Sequence, residues 1–126
     1  MKSLPDTEFE IMDCLWDRPT PYTTAMVMEA LGTERGWKAQ TVVTLMGRLV
    51  QRGFLRCERG QGRENAFYPL LSRREYLQTE TESFVERYHR HSYLSLLNAL
   101  QSERLTPEEL DEVSQWVQKQ KEERQS

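Results

Sequence analysis

The sequence predicts a mainly α-helical protein with one small β-hairpin, and three observations predict it. Apolar residues recur at helical spacing along most of the chain, most clearly at Val42, Leu45, Met46, Leu49 and Val50. One stretch, Leu55-Arg56-Cys57-Glu58-Arg59, alternates as a half-buried strand does, with Gly60-Gln61-Gly62 to turn it and Asn65 to Leu70 to return. Capping residues and Gly or Pro stops stand between the periodic segments and divide them.

The elements follow in order. A first helix is expected from Asp6 or Thr7, both good caps, with Phe9, Met12, Leu15 and Trp16 on its buried face. Arg18-Pro19-Thr20-Pro21 must be non-helical, since proline removes a donor and restricts the residue before it. A second helix runs from about Thr23, its cap, to Leu31, with Gly32 as its stop and Met26, Val27, Ala30 and Leu31 as its apolar stripe. The third runs from about Ala39 to Arg52 and ends at Gly53, which suits a left-handed cap with Phe54 packing back. Three short helices and a hairpin, with a short strand near Tyr22, describe a winged helix-turn-helix over residues 1–71. Ser72 with Glu75 forms a capping box for a long fourth helix, and Thr106-Pro107-Glu108-Glu109 opens a last one before the polar tail frays.

Composition bounds the function. The 126 residues suit one domain or a small domain with an appended module, and 37% hydrophobic content supports a modest core. No apolar run approaches the roughly 20 residues of a membrane span, so membrane insertion is not expected. The start, MKSLPDTEFE, lacks the apolar core of a signal peptide, which places the expected location in the cytoplasm. Cys14 and Cys57 read as small buried hydrophobes in a reducing compartment.

Charge is the sharper signal. Between Arg35 and Arg74 stand nine Lys/Arg against two Asp/Glu, a local +7 within a chain of net charge −3. A basic helix and hairpin in an otherwise acidic protein point to a polyanion. The third helix presents Gln40, Thr41, Val43, Thr44 and Gly47 outward as candidate base readers: an amide for adenine, hydroxyls, and an apolar contact for a thymine methyl. Gly47 costs about 1 kcal/mol relative to alanine in a helix interior, and either close approach to DNA or mere tolerance at the surface accounts for it. Lys38, Arg48, Arg52, Arg59 and Arg63 are candidate phosphate contacts, the last two flanking the hairpin tip.

Residues 72–126 carry more large apolar side chains than two helices can bury. Phe84, Tyr88, Leu94, Leu97, Leu100, Leu110, Val113, Trp116 and Val117 therefore suggest a second copy of the chain, the alternative being that they fold back as a monomer. No enzyme signature is present: neither a phosphate loop, nor a His-Glu-x-x-His motif, nor a metal-spaced cysteine set. His89 and His91 would lie about 200° apart on a helix, a poor chelating pair. No cofactor, metal or small-molecule ligand is evident. The rival to a DNA reader is a winged-helix module that assembles with other proteins.

Two segments, LPDTEFEIMDCLW and WKAQTVVTLMGRLVQRGFL, resemble the penicillinase-repressor family of winged-helix regulators. The likeness rests on Glu8, Phe9, Glu10, Met12, Leu15 and Trp16. It continues through Trp37, Thr41, Val42, Thr44, Leu45, Met46, Arg48, Leu49, Arg52 and Gly53, and more loosely through the wing and LTPEELDEV. The resemblance implies a homodimeric transcriptional repressor on a palindromic operator, joined through its C-terminal helices. In the family the operator-facing positions commonly carry lysine, arginine and threonine where this chain has Gln40, Val43 and Gly47, so a different operator is expected. One branch is derepressed when a membrane sensor-protease system leads to a cut after an asparagine; Asn98-Ala99 falls at that place, with alanine where phenylalanine is usual. The copper-responsive branch needs a C-terminal pair of Cys-x-Cys motifs, which this chain lacks.

Overall fold

A computed structural model describes residues 3–59, 64–100 and 104–125, and the chain divides into two compact units, Met1–Thr81 and Glu82–Ser126. In the first, helix α1 spans Asp6–Trp16. Its cap differs from expectation: Pro5 takes the N-cap position, and Asp6 and Glu8 sit in the first turn. The Pro5 carbonyl accepts the Phe9 N–H at 2.9 Å, and proline brings no N–H of its own to satisfy. The first-turn acids complement the positive end of the helix.

Thr23 caps α2 (Thr24–Val27), its hydroxyl accepting the Met26 N–H at 3.2 Å. The helical course then continues through a π-helical segment, Met28–Gly32, into α3 (Thr33–Arg35). Gly32 is therefore not the stop. It keeps right-handed angles and is buried, and a side chain there would displace the Met28 thioether. Gly36, at φ 70°, ends the run.

Helix α4 spans Ala39–Gln51. Gly53 closes it at φ 85°, with Phe54 N–H reaching Leu49 O at 2.9 Å and Gly53 N–H reaching Val50 O at 3.1 Å. That paired pattern satisfies carbonyls the helix leaves open and turns Phe54 into the core. Strands β1 (Leu55–Arg59) and β2 (Asn65–Pro69) pair antiparallel, Cys57 opposite Phe67, and the wing turn with Arg63 lies outside the described residues. Tyr22 exchanges two backbone hydrogen bonds with Phe67, which supplies the expected third strand as a single bridge. Only Leu55 of β1 is buried, and Cys57 is exposed against expectation. β1 is the outer strand, so beyond Leu55 it runs past the core; Cys14 is half-buried.

Helix α5 spans Arg73–His89 behind its capping box: Ser72 N–H donates to Glu75 Oε1 at 3.0 Å, and Glu75 N–H to Ser72 Oγ at 3.1 Å. Tyr76 fills an aromatic cluster, its ring 5.8 Å from Phe9, 5.7 Å from Trp16 and 5.3 Å from Phe54. Its hydroxyl accepts the Leu4 N–H at 2.9 Å, and burial pushes the phenol pKa up, so it stays uncharged at neutral pH. Trp16 Nε1 donates to Leu71 O, and Arg73 pairs with Asp13 at 2.8 Å. These contacts join the start of α5 to the first unit, which runs to Thr81.

The second unit holds the rest of α5, then α6 (Tyr93–Ala99) and α7 (Pro107–Gln125). The expected single fourth helix is thus two. Arg90 and His91 both adopt left-handed angles, His91 N–H bonds back to Val85 O, and Ser92 caps α6 by accepting the Ser95 N–H. No glycine or proline marks this break. Thr106 and Glu109 form the predicted reciprocal box. The tail does not fray: α7 reaches Gln125, with Gln118 bonded to Glu122 and Lys119 facing Glu123 one turn on.

The Glu75 carboxyl is held below its ordinary value by the Ser72 backbone N–H first and the Ser72 hydroxyl second. The stability it adds is present above the unfolded glutamate pKa and lost as pH falls through the lower folded one. Glu75→Gln should melt below wild type at neutral pH, the gap narrowing as the solution is taken below the ordinary glutamate range. A pH-independent gap in thermal melts would remove this role.

Candidate nucleic-acid interface

The interface is built on α4. Gly36 and the Trp37 N–H, which donates to Gly32 O at 2.8 Å, turn the chain into the helix, and Lys38 stands at its N-cap with extended angles. No side chain caps this end, and the Thr41 and Val42 N–H groups both donate to Lys38 O, at 2.9 and 3.3 Å. Val42, Met46 and Leu49 are fully buried and Leu45 nearly so, which fixes the helix's rotation about its axis. Gln40, Thr41, Val43, Thr44, Gly47 and Arg48 are consequently exposed. The face holds an open depression of about 400 Å³ lined by Lys38, Gln40, Thr41, Thr44, Leu45 and Arg48. A helix of this size enters a major groove about 12 Å wide.

The side chains differ in what they leave available. Thr44 Oγ1 donates to the Gln40 carbonyl at 3.0 Å, so its hydroxyl proton is used within the helix and its lone pairs remain. Val43 is 49% exposed, an apolar group standing alone in the polar face. A Cβ added at Gly47 would meet nothing within 4 Å, so packing inside the chain does not demand glycine there.

Four cations of the basic stretch are held by acids. Arg35 lies 2.6 Å from Glu10, Arg52 2.7 Å from Glu8 and Arg73 2.8 Å from Asp13, and Arg56 pairs with Glu58. The Arg56 guanidinium also stacks 4.6 Å over the Tyr68 ring directly across the hairpin. Among the described residues of the stretch, Lys38, Arg48, Arg59 and Arg74 are exposed with no acidic partner in ion-pair range. Sequence reasoning missed the Glu8–Arg52 and Arg56–Tyr68 contacts. The second was legible once the hairpin register was set; the first, between residues 44 positions apart, had no local signal.

In the second unit, every residue expected at a dimer interface is exposed, from 37% at Val117 to 67% at Leu94. Phe84 and Tyr88 lie on α5, Leu94 and Leu97 on α6 with Leu100 just beyond, and Leu110, Val113, Trp116 and Val117 on α7. Asn98 and Ala99 are exposed in the last turn of α6. His89 Nδ1 lies 2.9 Å from Ser95 Oγ, and His91 falls past the end of the helix. Among the described residues, no three His, Cys, Asp or Glu gather to hold a metal ion, and no helix is long and apolar enough to cross a membrane.

A family model described as penicillinase repressor matches residues 4–119, across both units. The chain belongs to the penicillinase repressor family. Its members are transcriptional repressors, not enzymes. The chain is similar to the penicillinase repressor of Bacillus licheniformis, 28% identical over 125 residues that cover 96% of each protein. It is also similar to the methicillin resistance regulatory protein MecI of Mammaliicoccus sciuri, 24% identical over 112 residues, and to that of Staphylococcus aureus, 23% identical over the same length. Each of these alignments covers 87% of this chain and 89% of the relative. In this family member the winged unit and its basic helix belong to a repressor.

Because the space beside Gly47 is open, Gly47→Ala should raise stability by about 0.5–1 kcal/mol through helix propensity alone. A thermal or urea melt measures that gain. If the same variant loses DNA affinity despite its higher stability, the missing side chain serves the groove.

Proposed function

We propose that this family member is a sequence-specific, DNA-binding transcriptional repressor that acts as a homodimer on a palindromic promoter site. The observation that carries the reading is the coincidence, on one exposed helix face, of short polar readers with unpaired cations at its ends. Gln40, Thr41, Val43, Thr44 and Gly47 read base edges in the major groove; Lys38 and Arg48 on α4, with Arg59 and Arg63 on the wing, hold phosphates. A module for protein assembly would not need cations left free of acids on the very face that fits a groove.

The second unit supports the dimer. Its large apolar residues from α5, α6 and α7 stay exposed in the single chain, and an identical chain offers the matching surface. Two linked readers then engage two half-sites, and affinity rises far above that of one reader. Derepression by cleavage at Asn98-Ala99, downstream of a membrane sensor-protease, fits the exposure of that bond and would sever α7 from the rest of the chain. Gln40, Val43 and Gly47 select the operator.

The deciding experiment is an anisotropy titration of the full chain against DNA upstream of its own gene, at several salt concentrations. A repressor should bind that DNA well above random duplex, and its affinity should fall steeply with salt. Equal binding to random duplex would sink the specific reading. Arg48→Ala should weaken binding to all sequences and lower the salt slope by about one, whereas Gln40→Ala should relax preference at one base pair. If the two behave alike, α4 is not the reading element.

The dimer is tested in the intact chain. Val113→Glu combined with Trp116→Glu places charge on the exposed apolar face of α7 and should give a monomer by sedimentation. Operator affinity should fall about a hundredfold as the second half-site contact is lost. A variant that stays dimeric would place the interface elsewhere.

A further inference from the structure

We infer that Glu8 and Arg52 form a strut that sets the tilt of the reading helix, so that Arg52 is a positioning residue acting through Glu8 and not through the DNA backbone. The inference rests on the DNA-reading assignment of α4 and adds to it a residue of α1 that faces no DNA.

Glu8 is the buried charged side chain among the described residues, with 3% of its surface exposed. A carboxylate withdrawn from water is tolerated only with a close, well-oriented partner. Arg52 Nε supplies one at 2.7 Å, a charge-assisted hydrogen bond across 44 residues of sequence. Arg52 is also the C-cap of α4, where its charge meets the negative end of the helix. The bond thus ties the C-terminal end of α4 to α1, while the Trp37–Gly32 hydrogen bond and Gly36 hold the other end.

Apolar burial alone does not do this. The packing of Val42, Leu45, Met46 and Leu49 fixes which side of α4 faces inward, but hydrophobic contact is non-directional and constrains a small tilt of the helix less tightly than its rotation. A directional ion pair at one end removes that freedom, and base reading needs it removed. Helical geometry agrees with the assignment. Arg52 lies about 70° from the middle of the buried face and about 110° from the middle of the outward face. Its Nε is aimed inward at α1.

The strut and the phosphate contact differ in what they predict. A lost phosphate contact lowers the number of counterions released on binding; a lost strut misplaces the reader without changing that number. The probe is the labelled duplex that the full-length wild-type chain enriches from a randomised pool, titrated across a salt series well below the lowest melting midpoint of any variant. Glu8→Gln keeps the shape of the side chain and removes its charge; Arg52→Gln removes the partner. Circular dichroism confirms that each is folded.

Each single variant should lose about fivefold to tenfold in affinity with an unchanged salt slope, and the double variant should be no weaker than the weaker single, because both remove the same contact. An Arg52→Gln slope flatter by about 0.9, with Glu8→Gln binding as tightly as wild type or tighter, would overturn the strut in favour of a phosphate contact. Additive losses in the double variant, or wild-type affinity in both singles, would overturn it as well. If the wild-type chain enriches no sequence over random duplex, the DNA reading fails first; enrichment followed by any of those outcomes removes the strut alone.

Discussion

The burial of one side of α4 is the constraint on which the rest of this molecule depends. Val42, Met46 and Leu49 have no exposed surface, and a helix that must hide them cannot rotate about its axis without exposing apolar groups to water. At about 0.8 kcal/mol for each buried CH₂, turning those three side chains out to water would cost on the order of the whole margin of a marginally stable domain. The outward face follows from the inward one. Gln40, Thr41, Val43, Thr44, Gly47 and Arg48 are available to a groove because their neighbours are not.

Around that helix the unit is closed by aromatic packing. Phe9 and Trp16 of α1, Phe54 at the root of the wing and Tyr76 of α5 meet within 5.3–6.3 Å of one another in the contacts they make. Tyr76 joins elements from both ends of the unit, since its hydroxyl also takes the Leu4 N–H. The wing root and the start of α5 are thereby set against the same helix that receives the Glu8–Arg52 ion pair. Rigidity of this kind serves a reader, because base contacts lose their value when the element that carries them drifts by an ångström.

Charge in the basic stretch divides into two populations that the sequence does not separate. Arg35, Arg52, Arg56 and Arg73 are engaged by Glu10, Glu8, Glu58 and Asp13. Lys38, Arg48, Arg59 and Arg74 stay open to solvent. Paired arginines near the surface add little stability individually. Arg35, Arg52 and Arg73 each tie another element to α1 through these pairs, while Lys38 and Arg48 remain free on α4 and Arg59 on β1. In the second unit the corresponding asymmetry is apolar: three helices carry their large side chains outward, an arrangement that suits association better than isolation.

By itself the sequence determined whatever depends on local chemistry and period. The Thr23 cap, the Ser72–Glu75 and Thr106–Glu109 boxes, the left-handed Gly53 and the apolar stripe of α4 all fell where spacing and residue type placed them. The candidate reading face was legible for the same reason, as the complement of a period-3.6 stripe. Tertiary structure decided what depends on partners distant along the chain. Gly32 stays helical and buried beside the Met28 thioether while Gly36 does the stopping; Cys57 is exposed on the outer strand β1; α5 ends at two left-handed residues that no glycine announces. Arg52 and Glu8 find each other across 44 residues. Local propensity is written in neighbouring residues, but burial and ion pairing are properties of surfaces that exist only once the chain has folded.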